Sequence, residues 1–190
     1  MRQEYFNDSK FEKQNFSESG LLGKEFSCCV FSDCNFSTIS LTDKEFIDCQ
    51  FDSCNLSNVR LNNTGLKNVK FINCKLIGVD FSFCKEFLFA VEFDKCQLDY
   101  VVFHKMNLKR TIFQECVVRE GSFIESNLNN VSFRNCNLER TNFELSNLSG
   151  ADFRTAYNYN VNPETNVIKG AKFSYPGVLG LLEKYGIEVI

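Results

Sequence analysis

Phe26-Ser27-Cys28-Cys29-Val30-Phe31-Ser32-Asp33-Cys34-Asn35-Phe36-Ser37-Thr38-Ile39-Ser40-Leu41-Thr42-Asp43-Lys44-Glu45-Phe46 carries Phe or Leu at every fifth position. The rhythm extends back through Leu21, Phe16 and Phe11 to Phe6. It runs forward through Phe51, Leu56, Leu61, Leu66, Phe71 and Leu76 to Phe81. There the phase slips by two residues, and the count resumes at Leu88 with Phe93, Leu98, Phe103, Leu108, Phe113, Val118, Phe123, Leu128, Phe133, Leu138, Phe143, Leu148 and Phe153. Val118 is the single slot that is neither Phe nor Leu. A period of five fits neither the 3.6 of an α-helix nor the 2 of a strand. A turn after every short extended segment resolves this, because each side of a coil then sends the same positions inward.

The residue two before each centre is small or β-branched: Cys29, Cys34, Ile39, Cys49, Cys54, Val59, Thr64, Val69, Cys74, Val79, Cys96, Cys116, Cys136 and Ala151 are examples. Large beside small suits a narrow, close-packed interior. The other positions carry Asn, Ser, Asp, Glu, Lys and Arg. Units such as Cys54-Asn55-Leu56-Ser57-Asn58, Cys136-Asn137-Leu138-Glu139-Arg140 and Ala151-Asp152-Phe153-Arg154-Thr155 resemble the pentapeptide-repeat family, over residues 4–155. The resemblance implies an all-β, right-handed, quadrilateral parallel β-helix with four pentapeptides per coil.

Four pentapeptides return to the same face after twenty residues, or after twenty-two across the slip. One face then holds Phe11, Phe31, Phe51, Phe71, Phe93, Phe113, Phe133 and Phe153. The next holds Cys34, Cys54, Cys74, Cys96, Cys116 and Cys136 at its smaller inward slot. Both columns cross residues 82–87, so the slip is expected to be a two-residue bulge that preserves face order. Residues 156–175 read as an irregular last coil and loop, and 176–190 as a short capping helix and tail. Pro176 is suited to open that helix and Gly186 to stop it, with Val178, Leu181, Leu182 and Tyr185 as an apolar stripe followed by Ile187, Val189 and Ile190. This excess of apolar surface predicts a two-fold homodimer. The ending also resembles the dimerising tail of Qnr-type quinolone-resistance proteins.

Chemistry finds little to use in this sequence. Ten Cys with no export signal and no apolar span point to a reducing cytoplasm. Most of these Cys occupy inward slots interchangeable with Val, Thr and Ala; Cys28 lies off that register and is the expected reactive thiol. His104 is the only histidine and falls on an outward position; no phosphate-binding Gly motif occurs. No enzyme activity, metal or cofactor is expected. The net charge of −3 has no basic block, so neither direct nucleic-acid binding nor membrane binding is expected.

Three departures stand out. Lys24 and Lys44 occupy nominally inward slots above Glu4, and are expected to reach outward at a corner or to bulge the backbone. Phe83, Phe87 and Phe89 crowd the slip; a plug is expected, the alternative being an exposed apolar patch. Asp8, Glu25, Glu45 and Asp48 share one face, with Glu25, Glu45 and Asp48 as candidate partner contacts. The expected function is a rigid protein-interaction scaffold. The Qnr-type resemblance implies the alternative: a DNA mimic that binds the type II topoisomerases gyrase or topoisomerase IV and protects them from quinolones, with projecting loops that engage the enzyme. Residues 6–81 leave no room for such a loop.

Overall fold

The computed structural model describes residues 4–188. The chain winds as a right-handed, four-sided parallel β-solenoid. One face is a seven-stranded parallel sheet of Lys10–Glu12, Val30–Ser32, Gln50–Asp52, Val69–Ile72, Val91–Asp94, Ile112–Gln114 and Ser132–Arg134, in chain order. The preceding face, called the loop face below, begins as a four-stranded sheet of Tyr5–Asn7, Glu25–Ser27, Glu45–Ile47 and Gly65–Lys67. Elsewhere the coils meet through single bridges, such as Asn35 to Asn55 and Asn55 to Lys75.

The Phe column is in register throughout. Phe11, Phe31, Phe51, Phe71, Phe93, Phe113 and Phe133 pair as direct neighbours across the sheet. Their rings stack at 4.7 Å for Phe11 on Phe31, 5.3 Å for Phe71 on Phe93 across the slip, and 5.1 Å for Phe113 on Phe133. Phe153 stacks in turn on Phe173 at 5.3 Å, so the column continues beyond 155. Rings on adjacent faces meet edge to face, as Phe93 does Phe103 at 6.1 Å and 74°, the arrangement the aromatic quadrupole favours.

The outward residues close the corners. Where Asn or Asp precedes a centre it usually accepts from the backbone N–H two residues on, as Asn55 does from Ser57 at 3.1 Å and Asp152 from Arg154 at 3.1 Å. This is the Asx turn, and it explains why the motif favours Asn and Asp there. The last residue of most pentapeptides is left-handed, with φ 54° at Asp33, 54° at Asn58 and 58° at Leu145. Asn and Asp tolerate that region; a branched apolar residue is strained. Leu145 is also 59% exposed, so Leu145→Asn is expected to stabilise the chain by about 1 kcal/mol, read as a raised Tm.

The slip lies later than the sequence count placed it. Cys84 is buried, and the Lys85 N–H bonds the Thr64 carbonyl at 2.9 Å, so the twenty-residue register still holds at 84–85. Register is regained where Val91 pairs with Val69. The two extra residues are therefore taken up within 86–90. Leu88, counted as an inward centre, is 63% exposed with φ 60°. Phe89 packs against the core instead, 6.4 Å from Phe81 and edge-on.

At the C-terminus the expected helix consists of two 3₁₀ turns, Gly177–Leu181 and Glu183–Tyr185, with Pro176 as N-cap and Gly186 left-handed at φ 60°. They lie across Tyr159, which is 5% exposed. An added Cβ on Gly180 would stand 2.3 Å from the Tyr159 carbonyl oxygen, so Gly permits this close approach.

Candidate functional site

The residues that depart from the repeat converge on the loop face. Phe83, Phe87 and Leu88 are 57%, 74% and 63% exposed. The expected plug is thus corrected: only Phe89 turns inward, because an interior already filled by stacked rings leaves no volume for three more. The loop is fastened at both ends. Lys85 N–H bonds Thr64 O at its start, and Ala90 N–H bonds Leu66 O at 3.0 Å at its end. A turn from Phe89 N–H to Glu86 O, 3.2 Å, presents Phe87 and Leu88 at the tip.

An ion cluster supports the loop from below. Glu45 pairs with Lys67 at 3.0 Å through Oε2 and with Lys85 through Oε1. Lys67 Nζ stands 6.0 Å from the Phe87 ring centroid, at the limit of cation–π range. Glu45 reaches both lysines by lying flat over Gly65, where an added Cβ would meet Oε2 at 1.9 Å. Burial pushes the Glu45 carboxyl up, but Lys85 and Lys67 together hold it below the ordinary glutamate value. Gly65→Ala is therefore expected to displace Glu45 and free the loop, read as faster amide exchange at 86–90 with the remaining coils unchanged.

Of the candidate partner contacts, Glu45 and Phe87 thus come together with Lys67 and Lys85, while Phe89 packs inward and Glu45 is spent on its own lysines. Asp48 is exposed and accepts from Asn68 Nδ2 at 2.6 Å. Glu25 is half-buried in its strand. Lys24 turns outward to Glu4 at 3.1 Å, and Lys44 folds back to the Gly23 carbonyl at 2.5 Å. Sequence reasoning missed Leu88, Lys67 and Lys85; the run Phe87-Leu88-Phe89 was the available signal, since three consecutive apolar residues cannot all face inward.

The cysteines are packing donors. Cys54 Sγ donates to Phe31 O and Asp52 O at 3.3 Å each, and Cys74 and Cys96 repeat the pattern one coil on each time. On other faces Thr64 donates to Leu41 O at 2.9 Å and Ser146 to Phe123 O at 2.5 Å in the equivalent geometry. Burial pushes Cys49 and Cys84 up to about 12, so they stay thiols at neutral pH. Nine cysteines are buried and Cys28 is exposed. A thiol reagent is expected to label Cys28 alone in the native chain, and all ten only after unfolding. Among the described residues no group of His, Cys, Asp and Glu has metal-binding geometry.

A second polar cluster lies on the cysteine face. The Asp99 side chain, 5% exposed, receives Arg119 Nε at 2.9 Å, Arg119 Nη2 at 3.1 Å and Gln97 Nε2 at 2.9 Å. Burial pushes its carboxyl up, but Arg119 and Gln97 outweigh burial and hold it below the ordinary aspartate value. A depressed folded pKa contributes stability above the unfolded value near 3.9, lost as pH falls through the folded one. Asp99→Asn is expected to lessen the loss of stability in acid, measured by urea unfolding between pH 2 and 6.

Tail residues divide. Leu181 packs against the core and Leu182 is half-buried, whereas Val178, Leu179, Tyr185 and Ile187 are exposed at 38%, 43%, 52% and 56%. Leu179, Gly180, Leu182, Glu183 and Ile187 line a shallow depression. Tyr185 Oη donates to Glu164 at 2.8 Å, and Lys184 pairs with the same carboxylate. Val189 and Ile190 lie outside the described residues. No described helix is long and apolar enough to cross a membrane.

A parallel solenoid of five-residue sides, with a Phe or Leu centre and a small donor two residues earlier, defines a class of protein by its packing alone. The family description "Pentapeptide repeat region" matches residues 24–86 and 87–157, and the chain belongs to that family. No curated protein matches the chain. Among solved structures it is similar to a trypsin-treated variant of QnrB1, a plasmid-mediated fluoroquinolone resistance protein, at 19% identity and a TM-score of 0.64, covering 99% of this chain and 98% of that one. It is also similar to HetL, involved in heterocyst differentiation regulation in the cyanobacterium Nostoc sp. strain PCC 7120, at 14% identity and a TM-score of 0.40, covering 91% and 89%.

Proposed function

We propose that the chain is a non-catalytic, protein-binding rod that docks its partner through the loop at 86–90. The observation that carries this reading is the exposure of Phe87 and Leu88 at the tip of a loop fastened at both ends. Exposed apolar side chains on a stiff support suit a protein interface and cost little ordering entropy on binding. The buried thiols are hydrogen-bonded to backbone carbonyls and Glu45 is ion-paired with Lys67 and Lys85, which supports a binding role over catalysis at that surface. The test compares proteins retained by the wild-type chain with those retained by Phe87→Ser/Leu88→Ser and by the remote control Ile112→Ser. A partner lost only with the loop variant supports the reading; retention indifferent to the loop would sink it.

A second reading follows from the loop and the tail together. The match to the QnrB1 fold runs over nearly the whole of both chains, and a projecting loop is present after residue 85. This supports a Qnr-like role, in which the chain binds gyrase or topoisomerase IV and protects it from fluoroquinolones. Because Glu45 is paired with lysines, binding in this reading goes through Phe87 and Leu88 rather than through duplex mimicry by carboxylates. Gyrase supercoiling in a fluoroquinolone, with added wild-type or loop-variant chain, tests it; no rescue by the wild type removes it. The exposed Leu179 and Ile187 support homodimerisation through the tail. Leu179→Lys/Ile187→Lys is expected to abolish that contact while leaving the Leu181 anchor in place, read by light scattering.

A further inference from the structure

The corners of the loop face carry opposite charges two coils before the loop and one coil after it. Two coils before the loop its corners carry Asp43 and Asp48, on the next coil Asn63 and Asn68, and on the coil after the loop Lys105 and Arg110. All four charged residues are exposed. Asn63 Nδ2 and Asn68 Nδ2 each donate to their aspartate at 2.6 Å, and neither aspartate has an ion pair among the described residues. Lys105 meets Glu125 at 3.4 Å on the exposed corner, and Arg110 has no ion pair among the described residues.

Register within this face is fixed by its ladders. Asp43 lies two coils before Phe83, through Asn63, whose N–H bonds Phe83 O at 2.8 Å. Phe81 stacks on Phe103 at 4.6 Å, so Lys105 lies one coil after Phe83. Along the other corner Asp48 and Asn68 are adjacent, Ala90 follows through Val69 N–H to Ala90 O at 2.9 Å, and Arg110 comes next by the register that pairs Ile112 with Glu92. The acidic corners thus sit two coils below the loop and the basic corners one coil above it.

We infer that this face pairs with a second copy of the same chain, antiparallel, about a two-fold axis lying between the coil of the loop and the coil below it. A two-fold axis in the plane of the face and perpendicular to the rod reverses the order of coils and keeps each corner opposite itself. With the axis in that place, Asp43 of each copy faces Lys105 of the other and Asp48 faces Arg110. The tip residues Phe87 and Leu88 of each copy then lie over the coil of Gly65 and Lys67 of the other, against the Glu45 side chain that covers Gly65. Moving the axis onto the coil of the loop sets Lys109 opposite Lys67 and leaves the aspartates unmatched. Charge complementarity therefore selects one register, and specificity rather than raw affinity is what such rim charges provide.

This inference rests on the loop as the docking surface and names a second copy as what covers it; self-association would then compete with any other partner. The test uses the full chain carrying Leu179→Lys/Ile187→Lys, which removes the tail contact. Its mass is followed by sedimentation over a concentration series at low and high salt. A dimer is expected, weakened by salt. D43K/D48K and K105D/R110D are each expected to be monomeric, and a mixture of the two to recover the dimer as a heterodimer. Lys already occupies left-handed corners at Lys13, Lys95 and Lys105, so the first pair is not expected to disturb folding, and far-UV circular dichroism checks both. A monomeric tail variant at high micromolar concentration, a dimer indifferent to either charge reversal, or failure of the mixture to reassociate overturns the inference. If the monomer still retains a partner through Phe87 and Leu88, the docking reading stands without it.

Discussion

Replacing Phe113 by Ala is expected to lower stability by about 3–5 kcal/mol, the range for emptying a fully buried Phe. Phe113 is 0% exposed. It stacks on Phe93 at 5.0 Å and Phe133 at 5.1 Å, and meets Phe103 and Phe123 edge-on at 6.1 Å and 5.8 Å. The cavity cannot close by local collapse, because parallel pairing of Ile112–Gln114 with the strands on both sides holds the spacing of the coils. In a solenoid each coil is stabilised mainly by its neighbours, so a gap here weakens the contacts above and below at once. Phe113→Leu keeps most of the volume and is expected to cost about 1 kcal/mol. Urea unfolding followed by far-UV circular dichroism reads both. A loss under 1 kcal/mol for Ala would mean that the column is not a close-packed stack.

The second large effect is expected from Cys96→Leu. The Cys96 slot is bounded by Cys74 and Cys116 in the same column, and its thiol reaches Phe71 O at 3.3 Å. Leu adds volume where the coil spacing is fixed and removes the donor, for an overpacking cost of about 1–3 kcal/mol. Cys96→Val should cost under about 1.5 kcal/mol, because Val59, Val79 and Val131 fill the equivalent slot on other faces. Cys96→Ser keeps a donor in the geometry that Ser146 already uses. An order of tolerance with Leu worst identifies packing as the constraint. Equal loss for Val, Ser and Leu would instead point to chemistry specific to sulfur.

The same geometry explains which parts of the molecule were legible in one sequence. Phe11 to Phe153 and Cys34 to Cys136 could be placed by counting, because a side of a coil is five residues wherever it occurs. The outward Asn and Asp were visible as composition, but their role became clear only with the Asx bonds and the left-handed corners. The left-handed stop at Gly186 was readable locally. The burial of Leu181 beside the exposure of Val178 was not, since it depends on where Tyr159 lies.

Residues 82–90 mark the boundary between the two kinds of knowledge. Sequence by itself determined that a two-residue insertion exists and that the face order survives it, because the Phe and Cys columns resume with the same spacing. The count put Leu88 at the inward centre, and nothing local distinguishes it from Phe89, since both are large and apolar and adjacent. Tertiary structure made that choice through bonds to distant backbone: Lys85 to Thr64 O and Ala90 to Leu66 O. The same contacts set Phe87 and Leu88 in solvent above Glu45, which lies two coils earlier in the chain. Local periodicity encodes which way a side chain points; only the stacking of successive coils decides which residues are pushed out when one coil is too long.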